Sequence, residues 1–194
     1  MDRLPYDGVV LAGGQSRRMG HPKETLPFPG QDGSLLTHAE TVLKTALAGT
    51  VWVSRPYGTP AAPDVLVDES PDAGPLEGIR RGLERSPHPY LAVLAVDLPG
   101  VPPQLYAMLQ QHTGRQIDVV YPGTPHRIQP LAALWHHDTL QLLTEVCAGP
   151  RRVRIIDVLA QLRTVMVPVP GSWLVNVNTP AEWERFLADS AAPS

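Results

Sequence analysis

The sequence is poor in cysteine and phenylalanine, with a single Cys147 and two Phe among 194 residues. One thiol forms no internal disulfide, which excludes a disulfide-stapled secreted scaffold and suits a reducing, cytoplasmic setting. Cys147 itself reads as small apolar filler in a helix. No run approaches the roughly 20 apolar residues of a membrane span, and the first residues, MDRLPYDG, carry no signal-peptide core. Neither membrane insertion nor export is therefore expected. An excess of one charge is also missing: 16 basic against 19 acidic residues leave a net charge of −3. Nucleic acid and membrane partners are not expected, and any cationic function must be local. The 7 histidines show no metal-ligand spacing, and nearly all read as surface residues. Proline is plentiful by contrast. Its 22 residues are more than twice the usual share of about 5% and set stiff loops between short elements.

Between those loops, apolar strands alternate with amphipathic helices. Strands are expected at Val9–Ala12, Thr50–Ser54, Val65–Val67, Tyr90–Val96, Ile117–Tyr121 and Thr164–Val167, with a further apolar segment at Leu131–Trp135. Helices are expected over Leu35–Leu47 with Ser34 as cap, from about Asp72 to Glu84, and from Pro102 or Pro103 to Gln111. Others run from the cap Asp138 to Ala148, over Val153–Leu162, and from Pro180 behind the cap Thr179. Tyr90–Val96 is nearly continuous in apolar residues, as in a strand buried on both faces. Trp52, Trp135, Trp173 and Trp183 fall on apolar faces and are assigned to the core. The pattern predicts an α/β fold, a three-layer α/β/α sandwich with a mostly parallel sheet. One domain is expected over residues 1–189, with 190–194 a disordered tail.

The chemistry concentrates in GVVLAGGQSRRMGHPK, Gly8 to Lys23. A buried strand runs into a loop with glycines at 13, 14 and 20 and cations at Arg17, Arg18 and Lys23. Glycine lets backbone N–H groups approach an anion, and the cations neutralise the charge that the amides only polarise. The plainer alternative is an ordinary loop with basic surface residues. A Walker A loop is excluded, because Lys23 lies three residues past Gly20 and Glu24 follows it. A dinucleotide fingerprint is excluded too, since the first glycines are adjacent and Pro22 and Pro27 interrupt any following helix. Two carboxylates join this loop at strand ends: Asp68 after Val67, and Asp97 after Val96. A carboxylate closing a very apolar strand, with Leu98-Pro99-Gly100 behind it, suits Mg²⁺ on nucleotide phosphates.

LAGGQSRRMGHPK resembles the signature L-A-G-G-x-S-x-R-M-G-x-x-K of nucleotidyltransferases that attach a nucleotide to molybdopterin. The chain looks most like the molybdenum cofactor guanylyltransferases, although Pro22 stands where an Asp often precedes the lysine. The resemblance extends over the chain. Gly74-Pro75-Leu76-Glu77-Gly78 is similar to the family's G-P-L-x-G, Ala95–Pro99 to its metal-binding D-x-P segment, and Gln129–Leu134 to its Q-P-L-x-A-L. Asn176-Val177-Asn178-Thr179-Pro180 resembles its N-x-N-T-P, and Gly149-x-Arg151 a basic stretch near the second substrate.

The resemblance implies a Rossmann-like nucleotidyltransferase fold, GTP as substrate, Mg²⁺ (or Mn²⁺) held by Asp97, and molybdopterin as the accepting small molecule. Lys23, Arg17 and Asp97 are then the catalytic residues. Leu11, Ala12, Gly13, Gly14 and Lys23 take the nucleotide with Ser54, Asp68, Gly74, Gly78 and Asp97. Arg151, Asn176 and Asn178 face the pterin, and protein partners are limited to transient contacts with other cofactor-biosynthesis or acceptor proteins. Two plainer roles stand beside these: close packing for Gly78 and Gly82, and an Asx turn with a helix cap for Asn176–Thr179. A cytidylyltransferase on the same pterin, a sugar-phosphate nucleotidyltransferase and a non-catalytic nucleotide-binding module are the rivals.

Overall fold

The structure is a computed structural model and describes residues 3–13, 25–28 and 33–191. Its sheet grows from β1 (Asp7–Leu11), which is buried along its whole length. Seven further strands follow: β2 (Val51–Arg55), β3 (Val65–Val67), β4 (Tyr90–Ala95), β5 (Val119–Thr124), β6 (Arg127–Ile128), β7 (Ala132–His136) and β8 (Thr164–Pro168). They are ordered β3-β2-β1-β4-β7-β5-β6, with β8 beside β5. Pairs β3–β2, β2–β1, β1–β4 and β5–β8 are parallel, whereas β7 and β6 run antiparallel to their neighbours.

Apolar residues alternate between two helical layers. Val10, Ala92, Leu94 and Leu134 pack with α1 (Leu35–Ala46), α3 (Gln104–Gln110) and α6 (Pro180–Ala191). Val9, Leu11, Leu91, Val93 and Trp135 pack with α2 (Pro75–Arg85), α4 (Leu140–Ala148) and α5 (Ile155–Leu159). Both faces of the central strands are thus covered, which is why β1 and β4 read as continuous apolar runs. Trp52, Trp135 and Trp183 are buried and Trp173 is half-buried against the first layer. The expected α/β/α sandwich with mostly parallel central strands is the observed fold.

Several local expectations shift. β5 starts at Val119, because Ile117 closes a turn onto Gly114 O, and it runs on through Pro122 and Gly123. Pro122 is tolerated there, its carbonyl accepting Gln129 N–H at 3.0 Å while it supplies no donor. Asp138 is not a side-chain cap. β7 extends to His136, whose Nδ1 accepts Asp138 N–H, and a 3-10 turn over His137–Thr139 leads into α4. α5 is shorter than expected, since Gln161 and Leu162 donate to residues three back in tight turns. α6 continues to Ala191. Three of the six described histidines (His38, His88 and His136) are half-buried rather than on the surface.

Candidate nucleotide site

β1 leads to β2 on one side, and the chain then crosses from β3 to β4 on the other, so the strand order reverses at β1–β4. In open α/β sheets ligands lie at the carboxyl ends of the strands at such a switch point. Backbone bonds lace these ends together. Val96 N–H donates to Leu11 O at 3.1 Å, Ala12 N–H to Ser54 O at 3.2 Å, and Asp68 N–H to Arg55 O at 2.9 Å. Leu11, Ala12, Gly13, Ser54, Asp68 and Asp97 therefore share one edge. The β3 and β4 axes are three strand spacings apart, about 14 Å. Gly14, Arg17, Arg18 and Lys23 lie outside the described residues.

Asp68 is buried, and burial followed by the charge of Glu77 raises its pKa to about 6, opposed by a hydrogen bond from the Ser54 hydroxyl and by Arg81. Its Oδ1 has no hydrogen-bond partner among the described residues. A buried acceptor of this kind suits a ligand O–H or N–H. The wall beneath is tight: a Cβ on Gly78 would lie 2.7 Å from Leu11 Cδ2 and 2.9 Å from Ser54 Cβ. A Cβ on Gly82 would lie 2.6 Å from Leu91 Cδ2. Both glycines are therefore close-packed positions. Gly74 caps α2 at φ 83°, a conformation that favours glycine, with the Arg152 guanidinium against it.

Glu77, within the GPLEG segment, belongs to a buried network that sequence reasoning missed. Arg80 grips it through Nε (2.9 Å) and Nη2 (2.8 Å), and Nη2 also reaches Glu69 at 2.7 Å. Burial alone would raise the pKa of Glu77, but the hydrogen bonds and charge of Arg80 outweigh it and leave a net lowering. Cys147 packs against the second helical layer, as expected of apolar filler, and its thiol lies near enough to Glu77 to feel its charge. Burial, then the Glu77 charge, pushes that thiol up to about 12. The Glu77-x-x-Arg80 spacing on one helix face was the available signal.

On the other side of the edge, Val177 N–H donates to Asp97 O at 2.9 Å. Asn176 Oδ1 accepts from Gln129 Nε2 at 2.7 Å. The QPL and NVNTP segments thus converge beside Asp97, and Gln129 is a buried residue holding Asn176, to which sequence reasoning gave no role. Asn178 N–H donates to Glu182 Oε2 at 2.7 Å and Glu182 N–H to Thr179 Oγ1 at 3.2 Å, so Thr179 is also a helix cap. Asn176 opens onto a cavity of about 530 Å³ with Gly100, Arg127, Trp173 and Arg185 in its walls. Arg151 lines a different cleft of about 160 Å³ with Asp72, Ala73 and Cys147. Neither of these two cavities holds both Arg151 and Asn176.

No group of three or more His, Cys, Asp or Glu side chains able to hold a metal exists among the described residues. Asp97 offers hard carboxylate oxygens beside the end of β1. That fits Mg²⁺, which takes one or two carboxylates and completes its shell with phosphate oxygens and water.

The family model described as MobA-like NTP transferase domain matches residues 8–165. The chain belongs to this family. It is a nucleotidyltransferase by membership, and no described helix is long and apolar enough to cross a membrane. A relative from Chloroflexus aggregans, named "Probable molybdenum cofactor guanylyltransferase", is 33% identical over 198 residues, covering 95% of each chain. The solved molybdopterin-guanine dinucleotide biosynthesis protein A from Archaeoglobus fulgidus superposes with a TM-score of 0.75 at 21% identity, over 95% of this chain and 98% of that one. Rv0371C from Mycobacterium tuberculosis H37Rv, solved as a complex with manganese, gives 0.62 at 20% identity over 95% and 98%. These two structures share the MobA-like fold with this chain.

Proposed function

We propose that this chain transfers GMP from GTP to the terminal phosphate of molybdopterin and releases pyrophosphate. The observation that carries the reading is the shared edge: Asp68 at one end, Asp97 at the other, and the Asn176 cavity beyond Asp97. A nucleotide laid along it has its nucleoside over β2 and β3 and its phosphates between β1 and β4. A molybdopterin phosphate oxygen attacks the α-phosphorus, the α,β-bridging P–O bond breaks, and pyrophosphate leaves with that electron pair. The attacking phosphate is already ionised, so no protein nucleophile or base is needed. The protein's work is positioning and charge neutralisation. Mg²⁺ held by Asp97 supplies neutralisation of phosphate charge when bound.

Asp68 accepts from the nucleoside, and Leu11–Gly13 with the Gly74–Gly78 turn seats it. Lys23, Arg17 and Gly14 are assigned to the triphosphate from their sequence pattern alone. Asn176 and Asn178 orient the pterin through neutral donors and acceptors, adding no charge beside polyphosphate. Arg151 serves the pterin only if that substrate extends toward the smaller cleft. The single cysteine accords with cytoplasmic work, with acceptor proteins met only transiently. The test is pyrophosphate release from GTP and Mg²⁺ that depends on added molybdopterin; release that ignores molybdopterin, or none at all, overturns the proposal.

A further inference from the structure

His38, on α1, stands where three segments of the candidate site meet. Its Nε2 lies 3.1 Å from Pro99 O, in the turn that follows Asp97. Its ring stacks on Phe28, with centroids 3.7 Å apart and planes 5° from parallel. Phe28 belongs to the segment that leads out of the glycine-rich stretch, and its N–H is pinned to Gly33 O at 2.9 Å. Phe28 also meets Trp183 and Phe186 of α6, with ring centroids 6.3 and 6.4 Å away. That helix begins directly after Asn176–Thr179.

A carbonyl only accepts, so Nε2 carries the proton and donates to Pro99 O. Nδ1 is then the bare nitrogen, and it is buried with no hydrogen-bond partner among the described residues. Burial lowers the pKa of His38, which accords with a neutral ring. A residue chosen for volume alone would do better as Leu or Phe, because an orphaned buried acceptor is destabilising. What the imidazole adds is the bond to Pro99. The turn it grips is also tied by Leu98 N–H to Ala95 O, Val101 N–H to Leu98 O and Val177 N–H to Asp97 O, at 3.2, 3.3 and 2.9 Å, but none of these holds Pro99 O.

We propose that His38 is a positioning residue: its Nε2–H fixes the Leu98–Pro99 turn and so aims the Asp97 carboxylate, while its stack on Phe28 couples that turn to the segment after the glycine-rich stretch and to α6. The inference rests on the assignment of Asp97 to the metal. Two variants separate the donor from the ring. His38→Phe keeps the stack without the donor, and His38→Gln keeps an N–H donor without the ring; His38→Leu replaces the Phe variant if that one does not fold.

The expected result for His38→Phe is a kcat about tenfold lower, the cost of one lost buried hydrogen bond, with the KM for GTP changed less than about twofold. The Mg²⁺ concentration for half-maximal thermal stabilisation in GTP rises by about fivefold or more, and exchange of the 97–101 amides quickens. His38→Gln recovers most of each loss. Equal losses in both variants, or a donor-less variant that keeps wild-type kcat, Mg²⁺ dependence and amide protection, would overturn the proposal. A wild type with no Mg²⁺-dependent GTP response would instead overturn the functional reading, and amide exchange still reports on His38 in that case.

Discussion

Replacing Asp68 with asparagine should move stability and nucleotide binding in opposite directions. The carboxyl is buried, and burial with the nearby Glu77 raises its pKa from 3.8 to about 6. The folded state therefore holds this proton more tightly than the unfolded chain. Below pH about 4 both states are protonated and the group costs nothing. As pH rises from about 4 to 6 the unfolded chain releases its proton first, and stability falls by up to about 3 kcal/mol. Above pH 6 the whole cost is present. A side-chain amide carries no such charge, so Asp68→Asn should be about 1–3 kcal/mol more stable than wild type at pH 8. Near pH 4 the two should agree within about 0.5 kcal/mol. At about 2–4 °C per kcal/mol the difference is easily read from melting curves, and urea midpoints at both pH values check it. The same variant presents an amide where Oδ1 awaits a donor, so GTP affinity should fall at least tenfold, the loss of about one hydrogen bond to a charged group. A variant less stable than wild type at pH 8, or one that binds GTP as well as wild type, would refute the account of Asp68.

Two substitutions probe the walls of the site. Gly78→Ala drives a methyl against Leu11 and Ser54; it should cost about 1–3 kcal/mol in urea unfolding and weaken GTP binding by displacing both from the wall of the site. Asn176→Leu strands the Gln129 amide donor beside the larger cavity; the KM for molybdopterin should rise about tenfold while that for GTP stays within about twofold.

Elements built from local patterns are legible in the sequence. β3 is readable to the residue, α1 to within one, and β4 is recognisable as central because covered faces leave an uninterrupted apolar run. Expectations fail where distant chain segments decide the outcome. The β5–β6 hairpin turns at Pro125-His126, without an Asn-Gly or Asp-Gly signal, and Thr124 Oγ1 supports it by accepting Arg127 N–H. Asp138 has the residue type of a cap, but the register of β7 against β4 carries the strand to His136 and places the turn there instead. In the site, the Asp68 and Asp97 positions follow from strands ending in carboxylates. The contact of Gln129 with Asn176 spans 47 residues, and that of His38 with Pro99 spans 61, so neither leaves a local trace. The effect of Glu77 on the Cys147 thiol leaves no local trace either, because Glu77 belongs to another helix.

Pyrophosphate release in the presence of molybdopterin and Mg²⁺, with GTP and CTP offered separately to wild type and Asp97→Asn, tests the central claim most directly. The account predicts turnover with GTP, little with CTP, and a loss of at least about 100-fold in Asp97→Asn, whose fold should persist in circular dichroism. Turnover with CTP alone, or an Asp97→Asn enzyme as active as wild type, would contradict it.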